Sequence, residues 1–214
     1  MLKRGPLREV VLNAIRNAIF SGRFAPGEAV RELHMARELG VSQATVREAL
    51  LQLEHKGIVV RTPNLGTTVV QLSARELKER FELRLLLESL AAVQAAERMT
   101  AEDLNHLRAL NQAMIHQADA CAYYEASEAD LAFHRFIWRN CGNGVLYDML
   151  DQLTIPVFAY VSILRSRGSG SLNGFMPHAP LVEAMAEKDP EKIRACCHEI
   201  LESSYRHFAQ ESET

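Results

Sequence analysis

The run Gly40-Val41-Ser42 constrains this chain more than any other feature. Upstream of it, residues 28–39 place Val30, Leu33, Met35, Ala36 and Leu39 at helical spacing. Downstream, Val46, Leu50 and Leu53 stand at i, i+4 and i+7 and form one apolar stripe of a further helix. Gly40 suits the left-handed residue that closes a helix, and Ser42 supplies a side-chain oxygen that opens the next. Two short helices joined this tightly need a third element to bury their stripes. Leu7 to Phe20 provides one, with Val10, Val11, Ala14, Ile15, Ala18 and Ile19 on helical spacing. After Gly57, the β-branched runs 58–61 and 67–70 flank the turn-forming Pro63-Asn64-Leu65-Gly66, which predicts a β-hairpin. Residues 1–72 therefore read as a winged helix-turn-helix.

At Ser73 the pattern changes. Ser73-Ala74-Arg75-Glu76 is a capping box, and a domain boundary is expected there. Helices are predicted over 74–97, 101–119, 122–140, 145–165, 175–187 and 190–211. Thr100 and Asp189 are expected N-caps, and Pro190 suits a first helical turn. Arg165 to Gly174 reads as the one long loop. The fold class is mostly α: a winged helix-turn-helix, then an all-helical domain of about six helices over 73–214. Hydrophobic residues make up 48% of the chain, enough for a real core. The longest apolar run, Ile155 to Leu164, is interrupted by Pro156 and Ser162 and is far shorter than the roughly 20 residues of a membrane span. With no apolar leader at the N-terminus, a cytoplasmic protein is expected. Four cysteines without a C-x-x-C pair are expected to be reduced thiols.

The net charge of −3 hides an asymmetry. Residues 1–72 hold ten Lys/Arg against six Asp/Glu, a net of +4, while the remainder holds 14 against 21, a net of −7. Only the first third is suited to a polyanion. The apolar stripe of the helix after Ser42 turns Gln43, Thr45 and Arg47 away from the core. A duplex's major groove admits such a helix, and side chains near its N-terminus reach base edges. Gln pairs with adenine through two hydrogen bonds, and Arg pairs with guanine or clamps a phosphate. The N–H groups behind Ser42 can hold a phosphate, and Arg31 is a further DNA-binding candidate. The hairpin tip, Asn64 to Gly66, would reach the minor groove or backbone. A solvated helix face is the competing reading of any one of these residues.

The run from Gly40 to Leu50, with Leu53, Gly57-Ile58-Val59 and Gly66-Thr67, resembles the GntR family signature, and Gly22, Pro26-Gly27 and Glu32 fit it too. The helical remainder is similar to the FCD (FadR C-terminal domain) subfamily. The family usually has Arg where this chain has Gln43, and often Pro at Thr45, so Gln43 points towards adenine at a base that relatives read as guanine. The resemblance implies a homodimer on a near-palindromic double-stranded DNA operator, a repressor role, and a small effector, a carboxylate in many relatives.

Asp130 and His134 share one helix face at i, i+4, a spacing that suits Zn, Ni or Mn and equally a satisfied core pair. The resemblance favours metal. Asp130-Leu131-Ala132-Phe133-His134 is similar to the FCD motif D-x-x-x-H, and His178 stands where the second metal histidine falls. The third histidine's position holds Ile200, and His198, two residues away, lies about 200° round the helix. Arg84, with Glu88 four residues on, matches the family's R-x-x-x-E region and is read as an effector anchor or as half of a helix ion pair. No organic cofactor is expected. A direct metal sensor is the alternative function. A metalloenzyme on Asp130, His134 and His178 is the rival class, but H-E-x-x-H, phosphate-loop and G-x-S-x-G motifs are all missing. Met114, Phe133, Met149, Phe158 and Met176 are expected in the core or pocket wall.

Overall fold

The computed structural model describes residues 5–63, 65–168 and 175–211. Among these, nine helices and one hairpin follow each other as α1 (Gly5–Phe20), α2 (Glu32–Leu39), α3 (Gln43–His55), β1 (Val59–Thr62), β2 (Gly66–Val69), α4 (Ala74–Ala96), α5 (Ala101–Asp119), α6 (Tyr123–Asn140), α7 (Gly144–Ser166), α8 (Ala179–Glu187) and α9 (Pro190–Glu211). The architecture is a winged helix-turn-helix followed by a helical bundle.

The local rules behind the first module hold. Gly40 closes α2 at φ +64°, and Ser42 accepts the Thr45 backbone N–H at 3.2 Å to open α3. Val46, Ala49, Leu50 and Leu53 bury one face of α3 against α1. The hairpin pairs antiparallel, Val59 opposite Val69 and Thr62 opposite Gly66. One expectation is corrected. Residues 28–31 are not helical: Ala29 bridges Thr68, and the Val30 N–H donates to the Thr67 carbonyl at 2.8 Å. β2 has a free edge there, and pairing satisfies backbone that a short exposed helical turn would leave to water.

In the bundle, α4 packs on α6, α7 and α9, α5 on α6 and α8, and α8 on α9. Capping boxes fix the starts of α4 (Ser73 with Glu76) and α5 (Thr100 with Asp103). α7 runs on through Pro156 to Ser166, one residue past the expected helix end at Arg165, and residues 169–174 of the expected loop lie outside the described residues. α8 starts at Ala179, four residues later than expected. Pro177 biases Met176 away from helical backbone, and Pro180 seats in the first turn. Phe133 and Met114 are fully buried, whereas Met149 is half exposed, against expectation. The four cysteines are free thiols.

The hydrophobic core falls into two clusters. One joins Val11, Ile15, Leu50, Leu53 and Val69 of the first module to Leu77, Phe81, Ile155, Ala159, Ile163 and Leu201 of the bundle. The other fills the bundle around Phe133, Trp138, Leu150 and Val182. The first cluster thus crosses the expected boundary at Ser73. α7 carries the contact: Ser162 Oγ and Ser166 Oγ donate to the Phe20 carbonyl at 2.9 and 3.3 Å, and Arg167 donates to the Gly22 carbonyl at 3.0 Å. Near the middle of α7, Pro156 presses on Gly57, where an added Cβ would stand 2.7 Å from the proline ring. Arg16 of α1 reaches Glu128 of α6 at 2.7 Å.

Candidate functional site

Within the bundle, Asp130 and His134 on α6 meet His178 at the N-terminus of α8, and one ligand atom from each lies within 4.8 Å of the others. Sequence spacing had placed only the first two together. His178 is brought in by Asn111 of α5, whose side-chain oxygen accepts the His178 backbone N–H at 2.7 Å. Nothing in the sequence marks Asn111 except its place among the apolar positions of α5, where a buried amide needs a partner.

Asp130 sits between the rings, 2.9 Å from His178 Nε2 and 3.4 Å from His134 Nε2. On its other side, His134 Nδ1 lies 2.9 Å from Glu88, and Arg84 Nε donates to Glu88 at 2.7 Å. Arg84 is thus half of a buried ion pair, as one of its two readings expects, and it also lines the cavity. Burial opposes the Glu88 charge, but Arg84 and then His134 outweigh it and hold the carboxyl at about 2. Burial likewise works against the charged form of His134, yet Glu88 and Asp130 raise the ring to about 9. Asp130 is held well below the carboxylate range against burial by its hydrogen bonds to the two histidines. His178 goes the other way: burial pushes it down more than Asp130 lifts it.

The residues present suit a divalent cation. They offer one carboxylate and two imidazoles, and His178 Nδ1 is buried without a hydrogen-bond partner. Glu88 on His134 supplies the outer carboxylate that usually orients a metal-bound imidazole. Ile200 lines the cavity at the third-histidine position. His198 points elsewhere, half exposed and 3.7 Å from Glu202. Arg165 also lines the cavity, almost fully buried, its guanidinium 3.9 Å from the Phe175 ring centre. No motif marks Arg165, which stands where the expected helix ends and the expected loop begins. The free volume is about 30 Å³, room for one or two waters and far below a drug-sized pocket.

On the first module, Arg31, Ser42, Gln43 and Arg47 are exposed and Thr45 is partly so. Thr45 Oγ1 lies 2.8 Å from Ser42 Oγ, so both hydroxyls are engaged in the cap. Gly66 stands at φ +96° with open space around it. Asn64 lies outside the described residues.

This is the build of a two-domain bacterial regulator, and the comparisons agree. Residues 7–69 match the model described as "Bacterial regulatory proteins, gntR family", and residues 79–203 match the FCD domain. The chain belongs to the GntR family, in its FCD branch, and is a transcriptional regulator, not an enzyme. It is 30% identical over 190 residues to the "Probable D-xylose utilization operon transcriptional repressor" of Paenarthrobacter nicotinovorans, covering 89% of this chain and 83% of that protein. It is 26% identical to the HTH-type transcriptional regulator McbR of Escherichia coli K12 over 95% of this chain and 93% of that one. The solved structure of E. coli McbR/YncC superposes with a TM-score of 0.79 at 23% identity, covering 97% of this chain and 99% of that chain, a likeness of fold. No helix among the described residues is long and apolar enough to cross a membrane.

Proposed function

We propose that this regulator is a repressor whose grip on its operator is set by a small carboxylate bound together with a divalent cation in the bundle. The observation that carries this is the convergence of Asp130, His134 and His178 beside two buried guanidiniums, Arg84 and Arg165, in one cavity. Asp130, His134 and His178 would hold the cation, which offers Lewis-acid coordination to a carboxylate oxygen. Arg84 and Arg165 would pair with the acid. With room for one or two waters, the cavity must widen by movement of its walls to admit even a compact acid beside the cation. The repressor role follows the name of the D-xylose relative.

α7 supports control of the DNA-binding module. Val157, Phe158, Val161 and Arg165 line the cavity, while Ser162, Ser166 and Arg167 hold the end of α1. An effector that favours one position of α7 shifts the module by its differential affinity for the two arrangements, about 1–3 kcal/mol in typical regulators. On the DNA side, Gln43 and Arg47 read or clamp the major groove. Arg31 and Gly66 approach the backbone, together with Asn64.

The chain would act as a homodimer. Leu83, Leu86 and Leu90 make an exposed apolar stripe on α4, and Val145 and Met149 are exposed on α7, which packs against α4. A row of exposed leucines on one helix face suits a subunit interface.

The test is selection of bound duplexes from a random pool, repeated with zinc alone, with small carboxylates alone, and with both. A single enriched, near-palindromic site whose affinity changes only with zinc and an acid together is the expected result. A change with zinc alone would establish direct metal sensing in its place. No change in any arm would sink ligand control.

A further inference from the structure

We infer that Glu32 is a positioning residue that fixes which way the Gln43 amide faces, and so makes this regulator discriminate against guanine at the base Gln43 reads. The inference rests on the proposed DNA reading of Gln43.

Glu32 is the first residue of α2, and its carboxylate projects to the exposed side of α3. Its Oε2 accepts from Gln43 Nε2 at 3.0 Å and from Arg47 at 2.8 Å (guanidinium NH2), with Arg47 Nε between the two oxygens at 3.1 and 3.2 Å. One carboxylate thus holds the two side chains that stand at i, i+4 on the recognition face. Glu32 itself is largely covered, with its side chain 17% exposed, whereas Arg47 is half exposed. The arrangement presents the readers outward and keeps their anchor inside.

A carboxylate only accepts hydrogen bonds, so it selects the Nε2 end of the amide; the Oε1 end would meet lone pairs. Turned this way, Gln43 shows Oε1 and one remaining N–H to the groove. Adenine offers N6–H2 to Oε1 and N7 to the N–H, a full match. Cytosine satisfies Oε1 through N4–H2. Guanine presents two acceptors, O6 and N7, so Oε1 faces a lone pair. An unanchored glutamine turns its amide over and gives both N–H groups to guanine. The anchor removes that option.

The experiment compares duplex selection by the wild-type protein, Gln43→Ala, Glu32→Ala and Glu32→Gln. The Gln43→Ala profile identifies the base position concerned. There the wild type is expected to disfavour guanine against adenine by roughly tenfold or more, the scale of one bidentate contact. Glu32→Ala should narrow the ratio to about threefold or less, because both amide orientations become open. Glu32→Gln, nearly isosteric, offers Gln43 a donor as well as an acceptor, so it too lets the amide turn over. It should narrow the ratio to about threefold or less with the side chain's packing kept, while the released Arg47 tightens binding to all duplexes alike. Wild-type discrimination in either variant would overturn the inference. If Gln43→Ala alters no base preference, the base-reading role of Gln43 falls as well. If it alters one and Glu32→Ala does not, only the anchoring falls.

Discussion

His134 Nδ1 lies 2.9 Å from the Glu88 carboxylate, on the side of the ring away from Asp130. That contact holds the ring so that Nε2 faces the cavity. Replacing Glu88 with Gln preserves an acceptor but removes the charge. Zinc affinity, measured by titration calorimetry, should fall by about 10- to 100-fold. Glu88→Ala should do more, leaving Arg84 buried without its carboxylate and costing about 3–5 kcal/mol in chemical denaturation.

The same contact sets a pH dependence. His134 in the fold is raised from 6.5 to about 9, with Glu88 and Asp130 overcoming burial. A group raised on folding stabilises in full below its unfolded value, and that stabilisation is lost as pH climbs through the folded one. Metal-free protein should therefore show a Tm lower by a few degrees at pH 9.5 than at pH 6.5. Saturating zinc, which binds the neutral ring, should flatten that decline. An equal decline with and without zinc would count against His134 as a ligand.

Gly57 follows α3 at φ +68°, and an added Cβ would stand 2.7 Å from the Pro156 ring. Gly57→Ala combines backbone strain with a clash against α7. A loss of about 1–3 kcal/mol is expected in equilibrium unfolding. Ala at the exposed Gly40, where the space is open, carries the φ penalty alone and should cost less.

The contacts between α7 and α1 should matter more for control than for binding. With Ser162→Ala and Arg167→Ala combined, operator affinity without ligand should stay within about threefold of wild type. The ligand-dependent change should shrink towards nothing. Fluorescence anisotropy with and without zinc and acid reads both quantities.

Leu86 is two-thirds exposed at the centre of the α4 stripe. If that stripe is a dimer face, Leu86→Glu places a charge in an apolar seam. Sedimentation should then show monomer where the wild type sediments as dimer. Operator binding should weaken by tenfold or more, since one half-site no longer helps the other.

The first module was largely legible because short-range rules decide it. Gly40, Ser42, the stripe on α3 and the hairpin turn each act within a few residues. The start of α2 was misread because its competitor, the edge of β2, lies some 40 residues away. In the bundle the helices and their caps were also local facts, as Ser73 and Thr100 illustrate. The cavity was only half visible. Asp130 with His134 is a helix spacing, but Asn111 and Arg165 enter through packing of α5 and α7. Glu88 was seen as Arg84's neighbour and not as a support for His134, because that link joins α4 to α6. Glu32, noted only as part of a family pattern, gained its role from a contact across the turn.

The first hydrophobic cluster draws Ile15 and Leu53 together with Ile155, Ala159 and Ile163. A DNA-binding fragment cut out at residue 72 would carry a raw apolar wall and should aggregate or melt early. Chimeras that exchange sensor bundles between relatives face the same demand: the incoming α7 must bring an outer face that fits the resident α1. Recombination within this family is thus constrained less by the linker than by one helix's two sides.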